Sequence, residues 1–375
     1  MTQTILIKRK NPTDYDYFER MQLFETPVAK IIDIGIEIPD RVVSNEEIAE
    51  IIDAPAKLKK ALPGIIERST GNKNRVYAPQ GTLPSDLAIA AIDDLTQRTG
   101  IDIHDVDTLI FASTDMDMME PATANIVQAK LGIKRINAFD VSNACNSFLQ
   151  AMNVANSLLA TGAARRIIVC SGELGSNVTC KELKDVKELR VKMGGLTIAD
   201  GGAAVLMEPT TCESGEGLGI SEINLMSMGE HWKLCHVPQE IDWREQGEAI
   251  YPWFYLDMPA LAQIARRYSI EYFQGYERIR QDVYGEKNFT ESLDFFVPHQ
   301  ISRKMIETIS FKAMKMDSEK VTITADIFGN TASTAIPMAL RWLIDNERLK
   351  IGTGQDCFLY GAASGFGMGH IRIKL

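Results

Sequence analysis

One order of elements occurs twice along this chain: strand, small-residue helix, strand, glycine-rich turn, strand. In the first pass an apolar strand at 107–112 precedes Cys145 by about 35 residues, and Cys145 opens a predicted helix, CNSFLQAMNVANSLLATG. The strand Arg166–Ser171 follows, then the glycine-rich run Asp200-Gly-Gly-Ala-Ala-Val-Leu. In the second pass the strand Leu293–Val297 precedes Asn330 by a similar distance, and Asn330 opens NTASTAIPMALRWLID. The strand Cys357–Tyr360, a glycine-rich turn and a closing strand Gly369–Leu375 complete it. A repeat of this kind predicts an α/β fold of two similar halves. The expected division is an N-terminal extension over 1–28, a half over 29–208 carrying Cys145, and a half over 209–375 carrying His299 and Asn330. The extension is polar and mixed in charge, and it precedes the first good strand, Lys30–Ile38.

Composition narrows the function classes. Hydrophobic residues are 45% and charged residues 24% of 375, which excludes disordered, collagenous and coiled-coil chains. A net charge of -10 argues against bulk nucleic-acid binding. The six cysteines, at 145, 170, 180, 212, 235 and 357, include no C-x-x-C pair and have no zinc-site spacing, so reduced thiols, no metal and a cytoplasmic location are expected. No apolar run approaches the ~20 residues of a membrane span, and the N-terminus has no signal-peptide pattern. The irregular stretch 223–255 holds Trp232, Trp243 and Trp253, which are expected to pack over the core rather than line a pocket.

Three residues stand where an α/β protein places chemistry. Cys145, in DVSNACNSF, follows an apolar strand at the start of a helix, where the N-terminal dipole favours a thiolate. Small neighbours would let a substrate approach; alone, the residue is equally a buried thiol. His299, in FFVPHQIS, ends a strand, the usual site position, though a core histidine fits as well. Asn330 follows Gly329 and would cap its helix. Together they suggest more. In a duplicated fold Cys145 and Asn330 are equivalent positions that meet across the pseudo-twofold axis. A thiol can hold an acyl group as a thioester, while imidazole and amide donors stabilise a carbanion next to a carbonyl. The turn GAASGFGMGH (361–370) lacks the G-x-G-x-x-G spacing and suits an oxyanion better than a dinucleotide.

From about residue 29 to 375 the sequence resembles the thiolase-like condensing enzymes of the β-ketoacyl-carrier-protein synthase III type. The resemblance is carried by DVSNACNSF, VPHQIS, FGNTASTAIPMAL, ADGGAAVL and GAASGFGMG, in the family's order. It implies a five-layered αβαβα thiolase fold, a homodimer, and acyl thioesters of carrier protein or coenzyme A as substrates, with no metal or redox cofactor. Cys145 would be acylated, His299 and Asn330 would stabilise the enolate of the second substrate, and backbone N–H groups of Cys145 and Ser364 would form the oxyanion hole.

Three departures refine the expectation. Glu120, in Met119-Glu120-Pro121-Ala122, resembles the glutamate of olefin-pathway and pyrone-forming members, which reaches across the dimer as a base; otherwise it is a surface glutamate. In the apolar pocket of the partner its pKa should rise. By the same resemblance, the family's tryptophan that stacks on coenzyme A is replaced near Ile65, which favours carrier-protein substrates. Lys304, Lys312 and Lys315 lie where the family docks acidic carrier proteins, or form a solvated face. The segment 173–198 is longer than usual and falls near the family's substrate entrance. The expected reaction is therefore a Claisen-type joining of two acyl chains in secondary metabolism. Decarboxylative condensation of malonyl-carrier protein, acyl transfer to an alcohol or amine, and a non-catalytic scaffold are the rivals.

Overall fold

The computed structural model describes residues 4–6, 16–18, 21–24, 26–210, 217–238, 253–286 and 288–375. The strands in chain order are β1 (Thr4–Leu6), β2 (Gln22–Phe24), β3 (Ala29–Glu37), β4 (Arg41–Ser44), β5 (Asn74–Tyr77), β6 (Thr108–Ala112), β7 (Asn137–Val141), β8 (Ile167–Leu174), β9 (Asp200–Pro209), β10 (Gly219–Ser227), β11 (Cys235–His236), β12 (Tyr255–Leu256), β13 (Phe295–Pro298), β14 (Asp356–Ala363) and β15 (Gly367–Lys374). Two large sheets result, in the orders β3-β9-β8-β6-β7 and β1-β2-β10-β15-β14-β13. In each, two antiparallel neighbours lead into parallel pairing: β3 and β9 run antiparallel, as do β9 and β8, before β8 and β6 run parallel. Similarly β10 and β15, then β15 and β14, are antiparallel, and β14 and β13 are parallel. The repeat seen in the sequence is thus a repeat of topology.

The alternation along β8 shows why five layers form. Ile167 and Val169 join the core around the helices Ser147–Ala160 and Ala335–Asp345, which lie between the two sheets. Ile168 and Cys170 point to the other face, against Ala88, Ala91, Ile92 and Leu95 of the helix Pro84–Thr99. On the far side Tyr272, Phe273 and Tyr276 of the helix Met258–Tyr284 cover Phe296, Phe358 and Tyr360. Both faces of both sheets are therefore apolar, as buried parallel strands require. The stack is αβαβα, as expected. ADGGAAVL is not a turn but the start of β9, and its glycines serve packing. Gly202 pairs with Gly172 of β8; a Cβ would fall 2.2 Å from the Leu87 carbonyl oxygen at the first and 1.9 Å from that of Pro84 at the second, so the outer helix can lie on the sheet only over glycine.

The N-terminal extension is not a free leader to the first half. Its β2 pairs antiparallel with β10, placing Leu23 opposite Glu222, so it widens the sheet of the second half. Phe18, Met21 and Leu23 are buried there, with the Phe18 ring 4.7 Å from that of Tyr272. The Tyr17 hydroxyl donates to Glu271 at 2.6 Å.

Candidate active site

β7 delivers the chain to an elbow at 142–146 whose geometry is set by Ser147. The Ser147 hydroxyl accepts from the Asn143 N–H at 2.8 Å and donates to the Ala144 carbonyl at 2.6 Å. Ala144 takes φ +48°, a left-handed conformation unusual for a residue with a side chain. The helix begins at Ser147, so Cys145 precedes it rather than opening it. The thiol differs from expectation as well. Burial pushes its pKa up, the neighbouring Cys235 and Glu173 add to the rise, and only the backbone N–H groups of Cys145 and Ser364 pull the other way. A helix N-terminus is worth about 0.3–1 kcal/mol, whereas desolvation of a charge can shift a pKa by several units, and Cys145 is largely withdrawn from solvent. The resting group is the neutral thiol, and the dipole does not make it a thiolate.

The two backbone N–H groups that reach this sulfur are those expected of an oxyanion hole. Ser364 starts the tight connection between β14 and β15, in which Gly365 has φ +74°. Its hydroxyl lies 3.0 Å from the Cys235 sulfur.

His299 follows β13, and its N–H donates to the Tyr360 carbonyl at 2.8 Å, which continues the parallel pairing with β14 and fixes the backbone. The side chain is 4% exposed, and among the described residues neither ring nitrogen has a hydrogen-bond partner. Burial pulls its pKa down to about 4. The imidazole is therefore neutral at pH 7, with one N–H free to donate. This carries a stability consequence. The folded value lies below the unfolded value near 6.5, so the contribution is complete above pH 6.5 and is lost as pH falls toward 4, where the unfolded chain takes the proton first. The shift corresponds to about 3 kcal/mol. Urea titrations at pH 7 and pH 4 should show wild type losing about that much more stability than His299→Asn; equal losses would contradict a buried neutral imidazole.

Asn330 is held on both sides of its backbone: its N–H donates to the Thr197 carbonyl at 2.9 Å, and its carbonyl accepts from the Ala199 N–H at 2.8 Å. Gly329 precedes it at φ +86°, where a Cβ would come within 2.7 Å of the Arg75 Cβ. The Asn330 side-chain oxygen accepts from the Ala332 N–H at 3.1 Å and closes a local turn. It does not cap the long helix, as the sequence suggested, because that helix starts at Ala335 with Thr334 as its cap residue. With its oxygen so occupied, the carboxamide has its NH2 end for a ligand.

Cys145, His299, Asn330 and Ser364 all line one cavity of about 1000 Å³, the open solvent at its mouth included. Most other lining groups are apolar, among them Met193, Phe254, Leu256, Leu261, Phe366 and Met368. The chemical groups of both halves thus meet in one apolar space.

The regions 139–229 and 287–375 match the 3-oxoacyl-[acyl-carrier-protein] synthase III model and its C-terminal companion. The chain is 30% identical over 348 residues to the β-ketoacyl-[acyl-carrier-protein] synthase III of Neisseria gonorrhoeae, covering 92% of this chain and 99% of that protein. The chain belongs to the β-ketoacyl-acyl-carrier-protein synthase III family. It is a condensing acyltransferase. The synthase III of Rhizorhabdus wittichii is 29% identical over 354 residues, covering 92% and 99%. Among solved structures, the fold is shared with the synthase III of Aquifex aeolicus (TM-score 0.75, 23% identity, 92% of this chain and 100% of that one). It is shared too with cerulenin-bound OleA of Xanthomonas campestris (TM-score 0.79, 24% identity, 92% and 97%).

The remaining sequence expectations fall elsewhere on this synthase III-type protomer. Glu120 is exposed, on the loop that joins β6 to the helix Thr123–Lys130, and it does not line the protomer's own cavity. Its neighbours Met116, Met118 and Met119 are exposed too, Met119 by 82%, and β7 is the edge of its sheet. Lys304, Lys312 and Lys315 are exposed. Lys304 lies in the helix Arg303–Glu307, two residues from the cavity-lining Ser302, and its ammonium donates to the Arg68 carbonyl. Lys312 sits in the π-helical turn that follows, and Lys315 beyond it takes φ +55°. Ile65 is half-buried and packs in the cluster around Leu62 and Ile66. The 173–198 segment forms a cavity wall through Met193, Gly194 and Thr197. Trp253 packs on the core and Trp232 is half exposed, while Trp243 lies outside the described residues. Among the described residues of that stretch Cys235 and Phe254 line the cavity, joined by Leu256 just beyond it. No helix among the described residues is long and apolar enough to cross a membrane.

Proposed function

We propose that this enzyme joins two acyl chains head to head by a Claisen-type reaction through an acyl-Cys145 thioester. The observation that carries the reading is the convergence of Cys145, His299 and Asn330 on one apolar cavity. Cys145 attacks the carbonyl of the first acyl thioester; the N–H groups of Cys145 and Ser364 receive the developing oxyanion, and the carrier thiol leaves with the cysteine proton. The carbonyl oxygen of the second thioester then accepts from the neutral His299 ring and the Asn330 NH2. A base removes the α-proton, the resulting enolate attacks the Cys145 thioester, and the sulfur is expelled to leave a β-ketoacyl thioester.

The base in this reading is Glu120 of the partner subunit. Three features support a homodimer that would bring it in: the open β7 edge, the exposed methionines beside Glu120, and the exclusion of Glu120 from its own cavity. Among the described lining residues the titratable groups are the thiols, His299 and Tyr360, none of them a carboxylate, which supports a base supplied from outside the protomer's own cavity. Acyl carrier proteins, which are acidic, would be steered by Lys304, Lys312 and Lys315 near the mouth. Long-chain acyl groups fit the apolar lining, and an OleA structure of the same fold holds lauric acid and lauroyl-CoA. We read the setting as secondary metabolism in the cytoplasm, with no metal or redox cofactor.

Glu120→Gln tests this against decarboxylation of malonyl-carrier protein, in which carbon dioxide leaves and no α-proton is removed. The variant should be acylated on Cys145 at the wild-type rate yet condense two fatty-acyl thioesters some 10²–10⁴-fold more slowly, the usual cost of losing a general base. Retained turnover with malonyl-carrier protein, and none by wild type with two fatty-acyl thioesters, would establish the decarboxylative reaction instead.

A further inference from the structure

Beneath the cavity lies a carboxylate that the reaction above does not use. Glu173, on β8, is 1% exposed. It accepts from the Thr114 N–H at 2.8 Å and from the Thr114 hydroxyl. From the other half of the molecule it accepts the Ser333 hydroxyl at 2.5 Å and the Ser333 N–H at 3.3 Å. Ser333 lies three residues beyond Asn330, in the short turn Ala332–Thr334, and its hydroxyl lies 2.8 Å from that of Ser171 on β8. On its other side the network reaches the nucleophile's elbow: the Ser147 hydroxyl, whose shorter bond is to Ala144, lies 3.2 Å from the Ser113 carbonyl, and the Ser113 hydroxyl donates to the Gly172 carbonyl at 2.8 Å. One buried carboxylate therefore links the Asn330 turn of the second half to the Cys145 elbow of the first.

We infer that Glu173 is a positioning residue that holds the Asn330 turn against the Cys145 elbow and, when ionised, adds to the burial that keeps the Cys145 sulfur protonated until substrate arrives. Two buried anions in one low-dielectric space repel strongly, so a charged Glu173 opposes thiolate formation. The charged or titratable groups around it are Asp115, on the loop after β6, and Cys145; Cys235 on β11 faces Cys145, and Asp200 on β9 faces Asp115. Burial, and then Asp115, push the Glu173 carboxyl up to about 7, and burial raises Asp115 as well. The restraint should therefore switch on as pH rises through neutrality. A free thiolate in an open cavity is exposed to oxidants and stray electrophiles. A thiol that ionises only as a thioester carbonyl and its oxyanion donors come together is spared both.

The inference rests on Cys145 being the acylated thiol, and the test reads that thiol without requiring turnover. Iodoacetamide alkylation of Cys145 is followed by peptide mass mapping from pH 6 to 8.5 in wild type and Glu173→Gln. Gln keeps the shape and the acceptor oxygen but not the charge. The variant-to-wild-type rate ratio should be near 1 at pH 6, where Glu173 is protonated in wild type, and should rise to about 3–10-fold at pH 8.5. A ratio that does not change with pH would reduce Glu173 to a structural bond and overturn the inference. If Glu173→Gln fails to fold, Asp115→Asn serves. Removing the like charge eases Glu173 ionisation, so the bend in the wild-type alkylation profile near pH 7 should move to lower pH, and an unmoved bend overturns the inference. Failure of acylation by thioesters would leave this profile intact, so the two readings fail separately.

Discussion

Cys145→Ala is expected to take up no acyl group from any thioester, while wild type gains the mass of one acyl chain. The measurement is intact-protein mass spectrometry after incubation with a panel of acyl thioesters of different chain length. The expectation follows from geometry. Among the cysteines in described segments, only Cys145 and Cys235 line the cavity, and only Cys145 has its sulfur against two backbone N–H groups. Cys235 is buried, faces the Ser364 hydroxyl, and has no such pair. Loss of a covalent nucleophile removes the whole ping-pong route, so condensation should fall by at least about 10³-fold. An adduct that persists in Cys145→Ala, or no adduct on wild type with any thioester, would remove the acyl-enzyme from the mechanism and leave a scaffold role standing.

Asn330→Ala should separate the two half-reactions. The carboxamide has its oxygen tied to Ala332, so what it offers a substrate is its NH2. In the proposed mechanism that donor meets the second thioester, not the first. Acylation of Cys145 should then proceed within about 3-fold of wild type, while condensation falls by about 10²–10³, the effect of removing one donor from a developing oxyanion. His299→Ala should behave alike, because the neutral ring is the other donor to the same oxygen. Removing both should cost little more than removing one if they act as a unit. The check is pre-steady-state acylation by mass spectrometry beside steady-state product formation. An Asn330→Ala enzyme that loses acylation as severely as condensation would place the amide in the first step.

Much of this site was legible in the residues because each active group stands at a chain reversal with its own local signature. A cysteine after an apolar strand, a histidine after F-F-V-P, and G-N before a small-residue helix are short-range patterns, and the repeat brings them together. The layers were legible for the same reason: uninterrupted apolar strands of five to eight residues require cover on both faces. What was not legible depended on long-range contact. The state of Cys145 is set by burial first and then by Cys235 and Glu173, 90 and 28 residues away in sequence, and these override the local dipole. Glu173 itself carried no local signal beyond an acid inside an apolar strand, VCSGEL, which is the pattern that could have flagged it. The glycines of β9 read as a turn because what needs them is distant in sequence: Leu87 lies more than 100 residues before Gly202, and Met338 more than 100 after Gly201. The partners of the N-terminal extension, Tyr272 and Glu222, lie some 200 residues downstream, where no pattern in the first 28 residues points.

That last pairing has a consequence for anyone recombining such enzymes. The second half is not a contiguous stretch of chain: β2 covers one margin of its sheet, and Phe18 fills a depression over Gly275 that a methyl group could not share. A chimera spliced at residue 209 between two relatives would place the leader of one parent on the tyrosines of the other. The leader and the second half should therefore be inherited together, and a graft that respects the order of the gene alone will mismatch the seam.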